Sequence, residues 1–138
     1  MIVVIRISGQ VEMHSYSVET LHRLRLRKKY SAILMKEGEE TTKMLQQIRN
    51  FVAYGPIDPA TLGLLISKRG KPLAPSAKSI DYKKAAEVAE KEGLQKAGLK
   101  PFFRLHPPRK GIDSKTHYPK GILGDNGKDI NDLVRRML

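Results

Sequence analysis

The stretch Ile2-Val3-Val4-Ile5-Arg6-Ile7 decides the fold of this chain. It is dense in β-branched residues, which favour a β-strand over a helix. Successive side chains of a strand point to opposite faces, so Val3, Ile5 and Ile7 share one face and Arg6 lies on the other. The chain is therefore predicted to open with a strand that has one strongly apolar face.

A helix is predicted to follow this strand, with Ser17 as its N-cap. Val18, Leu21 and Leu24 recur at helical spacing and form its apolar side. Residues 30–35 then read as a second strand, and residues 38–40 as a turn.

A second helix is predicted from Thr41 or Thr42. It carries the clearest amphipathic pattern of the chain, an apolar stripe typical of a core-facing helix. The stripe consists of Met44, Leu45, Ile48, Phe51 and Val52. A short third strand over residues 53–57 completes a β-α-β-α-β order in residues 1–57.

The remaining residues, 58–138, are predicted to form an extension that packs on this core, so that the chain makes one structural domain. Asp58-Pro59 predicts the start of a third helix, and Gly70 its end. Further predictions are a proline-containing linker from Pro72, a helix over residues 82–92, a turn at 124–127 and a closing amphipathic helix. The apolar side of that helix comprises Ile130, Leu133, Val134, Met137 and Leu138.

The chain is strongly basic, with 26 lysine and arginine residues against 14 aspartate and glutamate residues, and a formal net charge of +12 in 138 residues. Self-repulsion at this charge density favours an anionic partner. The charge is concentrated in residues 23–29, 68–71 and 101–111. Three separated clusters indicate a large, extended partner, and phosphate is the commonest anion for such clusters.

Residues 101–111 are cationic and contain no carboxylate. Pro107 and Pro108 forbid helix and hold the backbone extended, so less entropy remains to be lost on binding. Phe102, Phe103 and Leu105 give the same segment apolar area to bury. It is therefore predicted to be an ordered docking track, whereas a basic loop facing only solvent is the simpler alternative.

Several classes of protein do not fit the composition. The chain has no cysteine, so it has no disulfide and no thiolate metal site, and its four histidines are scattered. The longest apolar runs are far shorter than a membrane span. We expect a soluble cytoplasmic protein without metal, cofactor or membrane partner, and we expect no homo-oligomer.

The ordered elements and the basic segments together resemble the large-subunit ribosomal protein family called L-thirty in bacteria and archaea and L-seven in eukaryotes. The resemblance runs from end to end, and the archaeal form is the most similar because the first strand begins at Ile2, without the long basic arm of eukaryotic members. The matching segments are Val3-Val4-Ile5-Arg6-Ile7, Thr20-Leu21-His22-Arg23-Leu24-Arg25-Leu26, Asp58-Pro59-Ala60-Thr61-Leu62, Lys68-Arg69-Gly70-Lys71, Phe103-Arg104-Leu105-His106-Pro107-Pro108-Arg109 and Ile130-Asn131-Asp132-Leu133-Val134-Arg135-Arg136-Met137.

The resemblance implies an α+β fold related to the ferredoxin-like fold, with a small three-stranded antiparallel sheet, its first strand central, and two helices on one face. It also implies a structural role in the ribosome, binding ribosomal RNA of the large subunit without catalysis, with neighbouring ribosomal proteins as further candidate partners. The side chains predicted to contact RNA are Arg23, Arg25, Arg27, Lys28, Lys29, Lys68, Arg69, Lys71, Arg104, His106, Arg109, Lys110, Lys115, His117 and Lys120.

Two other functions fit parts of the sequence. A small phosphatase of the acylphosphatase type would need an arginine and an amide, and Arg6 and Asn50 are candidates by residue type alone. Neither a P-loop nor a nucleophile elbow is present. A free-standing module that stacks single-stranded bases would need exposed aromatic residues, whereas aromatics make up 6% of this chain and tryptophan is absent. Recognition of the RNA backbone is the better prediction.

Overall fold

The computed structural model describes residues 1–9, 13–71, 82–92, 99–100, 102–112, 116–118 and 120–138. In chain order its elements are β1 (Ile2–Arg6), α1 (Ser15–Arg23), β2 (Ser31–Met35), α2 (Glu39–Ile48), β3 (Val52–Pro56), α3 (Pro59–Arg69), α4 (Tyr82–Glu92), β4 (Phe103–Arg104), β5 (Gly124–Asp125), a 3-10 helix (Gly127–Asp129) and α5 (Ile130–Met137). The predicted β-α-β-α-β order of the first 57 residues is confirmed.

The strands form one sheet in the order β4-β2-β1-β3-β5. The first strand is central, as predicted, and pairs antiparallel with both neighbours, so that Val4 lies opposite Ile33 and Tyr54. The sheet is wider than the three predicted strands, because β4 adds to β2 and β5 adds to β3. Each added strand has only two residues, too few to give a period-2 pattern in the sequence.

Alternation along β1 divides the core between the two faces of the sheet. Val4 packs with Leu21 and Leu45 from α1 and α2, which cover one face as predicted. Val3 and Ile5 point to the opposite face and pack with residues of α3, α4 and α5. Burial of each large aliphatic side chain contributes roughly 1.5–3 kcal/mol to the stability of the fold. Because β1 supplies buried side chains to both faces, it helps to hold both layers of helices.

Some helix boundaries differ from the prediction. Helix α1 begins at Ser15, and the predicted cap Ser17 is a buried residue within it. Helix α2 begins at Glu39, because Gly38 is extended and two glutamates suit the positive end of the helix dipole. It ends at Ile48, before the predicted stripe ends. The Phe51 carbonyl instead accepts the Ile7 and Ser8 amides, and Val52 opens β3.

Helix α4 spans Tyr82–Glu92, as predicted, and packs on α3. Its buried residues, Ala85 and Ala89, are four positions apart and small, which lets the two helices approach closely. The predicted linker from Pro72 lies outside the described residues.

The extension is tied to the central sheet by Asn131, a buried residue of α5. Its Oδ1 accepts the Asp58 amide at 2.9 Å, and its Nδ2 donates to the carbonyls of Pro56 and Lys128. One side chain therefore joins the end of β3, the start of α3 and the start of α5.

Candidate nucleic-acid interface

The loop between α1 and β2, residues 24–30, is called the basic loop below. Leu26 anchors it, because this side chain is fully buried in the core. The Leu26 amide donates to the Leu21 carbonyl at 2.8 Å, and the Leu26 carbonyl accepts Arg6 Nη1 at 2.7 Å. Arg25 and Arg27 on either side are exposed. The loop thus presents cations outward from a backbone that is fixed from inside.

Arg6 is 1% exposed although it is charged. Besides the Leu26 carbonyl, it holds the Ser8 carbonyl through Nε at 2.9 Å. Burial lowers the pKa of the Arg6 guanidinium from its ordinary value through desolvation. Arginine nevertheless stays protonated in proteins. This arginine supports the backbone, and it is not open to an anion as an acylphosphatase-type site would require.

Backbone strain is concentrated at the basic segments. Among the described residues other than glycine, positive φ occurs at Arg25 (63°), Tyr30 (64°) and Lys110 (68°). Such conformations cost on the order of 1–3 kcal/mol each and persist where the surroundings enforce them, often at functional sites. Hydrogen bonds enforce the conformation of Tyr30, since its amide donates to the Arg6 carbonyl at 2.7 Å and its carbonyl accepts the Leu105 amide at 3.0 Å.

Strand β4 brings the proline-rich segment to the basic loop. It pairs with β2 so that Arg104 lies opposite Ser31. Phe103 and Leu105 are buried in the core of α3, α4 and α5. By alternation, Phe102 and Arg104 share the other face, and Phe102 packs against the core of α1 and α2. The expectation that one of the adjacent phenylalanines enters the core is confirmed for Phe103.

These residues enclose an open cleft of about 510 Å³. Its lining combines four cations with a hydroxyl and an aromatic ring: Arg25, Arg27, Lys28, Arg104, Ser31 and Phe102. In the part of the chain that the structure describes, no carboxylate lies within ion-pair distance of these four cations. The cleft therefore concentrates positive charge that finds no counterion among the described residues, as an anion-binding surface requires.

The second charge cluster lies at the end of α3. Its members are the exposed Lys68 and Lys71 and the half-buried Arg69. The Lys71 carbonyl accepts the Lys100 amide at 2.9 Å. Because Lys100 is two residues before Phe102, this bond ties the second cluster to the strand that lines the cleft.

The segment after β4 runs past the end of α5. The His106 amide donates to the Met137 carbonyl at 3.2 Å, and the Arg109 amide donates to the Arg136 carbonyl at 3.0 Å. Two backbone amides of this segment thus bond to carbonyls of α5, and the chain turns at residues 109–110 after the two prolines. His106 is half-buried, with its ring Nδ1 against the Pro107 carbonyl.

The site prediction omitted two cations of α5, Arg135 and Arg136. Arg136 lies beside Arg109 through this backbone contact. Arg135 is exposed, and Arg136 Nη1 donates to the Gly111 carbonyl at 3.4 Å. The sequence held a signal for both, because they fall outside the apolar stripe of α5.

Other predicted residues do not join the cleft. Arg23 forms an exposed ion pair with Glu19 at 2.7 Å, and the Lys29 ammonium lies over the Tyr30 ring, 5.2 Å from its centroid. His117 and Lys120 lie beside β5, at the sheet edge opposite β4. Lys115 is outside the described residues.

Two other features are absent from the described ranges. No group of three or more His, Cys, Asp or Glu side chains is placed to hold a metal ion there. No helix in those ranges has the length and apolar character needed to cross a membrane.

Comparison with known proteins gave consistent results. The profile of a family described as "Ribosomal protein L30p/L7e" matches residues 2–52. The chain is 40% identical to a protein of Archaeoglobus fulgidus named "Large ribosomal subunit protein uL30", covering 99% of each chain. Proteins of the same name from Pyrobaculum islandicum and Methanobrevibacter smithii are 36% and 35% identical, covering 98% and 100% of this chain and 92% and 100% of the relatives.

Proposed function

Because this chain belongs to the L30p/L7e family of ribosomal proteins, we propose that it is a structural constituent of the large ribosomal subunit that binds folded ribosomal RNA through phosphate contacts. One observation carries the proposal: Arg25, Arg27, Lys28 and Arg104 line a single cleft that holds no carboxylate among the described residues. The role is architectural rather than catalytic, and its setting is the ribosome in the cytoplasm.

The chemistry of the cleft suits phosphate. Arginine offers a planar fork of N–H donors that matches two phosphate oxygens, whereas lysine supplies a compact charge. Three of the four cations in the cleft are arginines. Their spread over a loop and a strand favours several phosphates of a folded backbone over one small anion.

Preorganisation supports the same proposal. The basic loop is held by Leu26 and Arg6 before any partner arrives, and β4 is paired with β2. Binding to a fixed surface loses less conformational entropy than binding by a segment that must first fold. A rigid array of cations can therefore select RNA whose phosphates already have the matching spacing.

The other predicted cations are proposed to extend this contact. Lys68, Arg69 and Lys71 are linked to the segment that lines the cleft by the bond between the Lys71 carbonyl and the Lys100 amide, and Arg109 and Lys110 form a further group with Arg136. His106 is a candidate donor to phosphate. Arg23, Lys29, Lys115, His117 and Lys120 stay proposed RNA contacts outside the cleft. Neighbouring ribosomal proteins are proposed to cover surfaces that RNA leaves free.

We further propose that residues 58–138 fold together with residues 1–57 as one domain. Support comes from β4 and β5, which both join the sheet of the first 57 residues, and from Asn131, which bonds to Pro56 and Asp58. The extension would then hold Arg104 against the basic loop in the free protein.

A salt titration tests the proposed function. Filter binding to large-subunit ribosomal RNA of Archaeoglobus fulgidus would be measured between about 50 and 200 mM salt, where six to ten phosphate contacts imply an affinity loss of roughly a thousandfold or more. An affinity that is independent of salt would overturn the proposal.

Two matched variants locate the contact. Changing Arg25, Arg27 and Arg104 to Gln should lower the slope of log affinity against log salt by about three, close to one for each phosphate contact. The control changes Lys36, Lys43 and Arg49 to Gln, removing equal charge from exposed positions outside the cleft. Equal slopes for both variants would show that net charge, and not this cleft, governs binding.

A further inference from the structure

We infer that the cleft between the basic loop and β4 takes one unpaired RNA base together with its flanking phosphates. The inference deepens the proposed function and rests on it, since it names the feature of the RNA that enters the cleft. It begins from Phe102, an aromatic ring among described lining residues that are otherwise four cations and one serine.

The position of Phe102 follows from strand geometry. Phe103 and Leu105 fill the core on one face of the sheet, so Phe102 and Arg104 must lie on the other. Phe102 is half-buried: it packs against the core of α1 and α2, and it also borders the cleft. A ring that is half-buried in the core and borders the cleft can provide a stacking surface.

No cation within the protein uses this ring in the part of the chain that the structure describes. Over those residues, the one cation above an aromatic ring is Lys29, and it covers Tyr30. Arg25, Arg27 and Arg104 line the same cleft without lying above Phe102. The phenyl group thus stays available although three guanidinium groups are close by.

A cleft that served only phosphates would need cations alone. Unpaired bases of RNA are typically held by stacking on aromatic rings or guanidinium planes, with hydrogen bonds to the base edge. Ser31, a buried residue that lines the cleft, carries a hydroxyl that can donate or accept such a bond. The volume of about 510 Å³ lies within the roughly 300–1,000 Å³ of small-ligand sites, so one nucleotide fits.

Charge decides the class of occupant. A neutral aliphatic ligand gains nothing from four cations, and a small anion gains nothing from a flat aromatic ring. A neutral aromatic ligand can stack on the ring or on a guanidinium group, but it leaves the positive charge without a counterion. A nucleotide extruded from an RNA helix uses both, because its base is a flat π-system and its two flanking phosphates are anionic. Stacking tolerates any base, so the inference concerns an unpaired base without specifying its identity.

The test uses three RNA duplexes of equal length with the full-length protein. The first carries a single bulged adenosine, the second an abasic ribose at the same bulge, and the third is fully paired. In other RNA- and DNA-binding proteins, replacing an aromatic residue that stacks on a base with alanine lowers the affinity by about tenfold to hundredfold. The wild-type protein should therefore bind the adenosine bulge about tenfold to hundredfold more tightly than the abasic bulge, which has no base to stack. Equal affinity for these two RNAs would overturn the inference.

Three variants assign the preference to Phe102. Phe102→Leu keeps an apolar side chain but removes the ring, and it should abolish the preference. Phe102→Tyr keeps the ring and should retain the preference. Phe51→Leu makes the same change at another half-buried phenylalanine of the α1–α2 core and should leave the preference intact. A preference that survives in Phe102→Leu would contradict the assignment.

If Phe102→Leu does not fold, a measurement on the wild-type protein with the bulged RNA tests the inference instead. Intermolecular nuclear Overhauser effects between the Phe102 ring and the bulged adenine are expected, and their absence at saturation would overturn the inference. Salt-sensitive binding to all three duplexes without preference would overturn the base site alone. No binding to any duplex or to large-subunit RNA would instead overturn the proposed function, and the inference with it.

Discussion

The buried guanidinium of Arg6 donates a 2.7 Å hydrogen bond to the carbonyl oxygen of Leu26, which is 20 residues away in the chain. The central strand thereby fixes the basic loop directly. A charged side chain in the core is costly unless it is fully hydrogen-bonded, and its bonds to the carbonyls of Leu26 and Ser8 offset that cost.

Arg6→Met should therefore lower the free energy of unfolding by roughly 2–4 kcal/mol, because one buried and one partly buried carbonyl lose a charged donor. Urea denaturation measures the change. Arg49→Met, at an exposed position after α2, is the control and should shift stability by no more than about 0.5 kcal/mol. Equal stability of the two variants would show that Arg6 does not support the loop.

Lys110→Gly should stabilise the protein by about 1 kcal/mol, because glycine adopts positive φ without strain. The same change should weaken RNA binding through the lost charge. Arg109→Gly is the control, since Arg109 is not among the residues of positive φ and glycine there should only add entropy to the unfolded chain. Paired urea and filter-binding measurements on both variants check this. If Lys110→Gly destabilised the protein, the positive φ of Lys110 would not be a source of strain.

Gly55→Ala should destabilise the junction between β3 and the extension. A Cβ at Gly55 would lie 2.5 Å from the Gly127 carbonyl oxygen and 2.9 Å from Ile130 Cγ2. We expect the free energy of unfolding, measured by heat or urea, to fall by about 1–3 kcal/mol, which is typical of overpacking. A Cβ added at Gly63 in α3 would meet nothing within 4 Å. Gly63→Ala should therefore raise the free energy of unfolding by roughly 0.5–1 kcal/mol. A neutral Gly55→Ala would mean that the extension does not pack closely here.

Leu21→Ala should lower the free energy of unfolding in urea by roughly 2–5 kcal/mol, since this side chain is fully buried between α1 and the sheet.

Changing Arg23, Arg27 and Lys28 to alanine should weaken RNA binding but leave stability nearly intact, because removing each exposed charge shifts the free energy of unfolding by less than about 0.5 kcal/mol. Early melting of this triple variant would assign those cations a structural role.

Truncation after Gly70 should leave a soluble remnant that is less stable and binds RNA much more weakly. It removes α4, α5 and both edge strands, so that only α3 still covers the face of β1 that carries Val3 and Ile5. In the intact free protein, the amides of Leu105, His106 and Arg109 should exchange slowly because each donates to a backbone carbonyl. Unchanged melting of the remnant, together with rapid exchange of those amides, would contradict a packed extension.

Local spacing explains why the elements themselves could be predicted. The β-branched run at residues 2–7, the stripe of α2 and the stripe of α5 each repeat with the period of one regular structure. Residues 82–92 form the predicted helix despite a weak apolar face. The misplaced ends of α1 and α2 depended on contacts that spacing does not report, such as the Ile7 and Ser8 amides on the Phe51 carbonyl.

The sequence by itself determined the order of strands and helices, the excess of positive charge and the segments that carry it, because these depend on neighbours within a few residues. Only the tertiary structure decided which cations meet. Arg104 reaches Arg25 and Arg27 because β4 pairs with β2, about 70 residues earlier in the chain. Arg23 pairs instead with Glu19, one helical turn earlier on α1, a contact that helical spacing alone provides. The meeting of Arg104 with Arg25 and Arg27 depends on how the sheet closes around a shared core, and no periodicity within a segment encodes it.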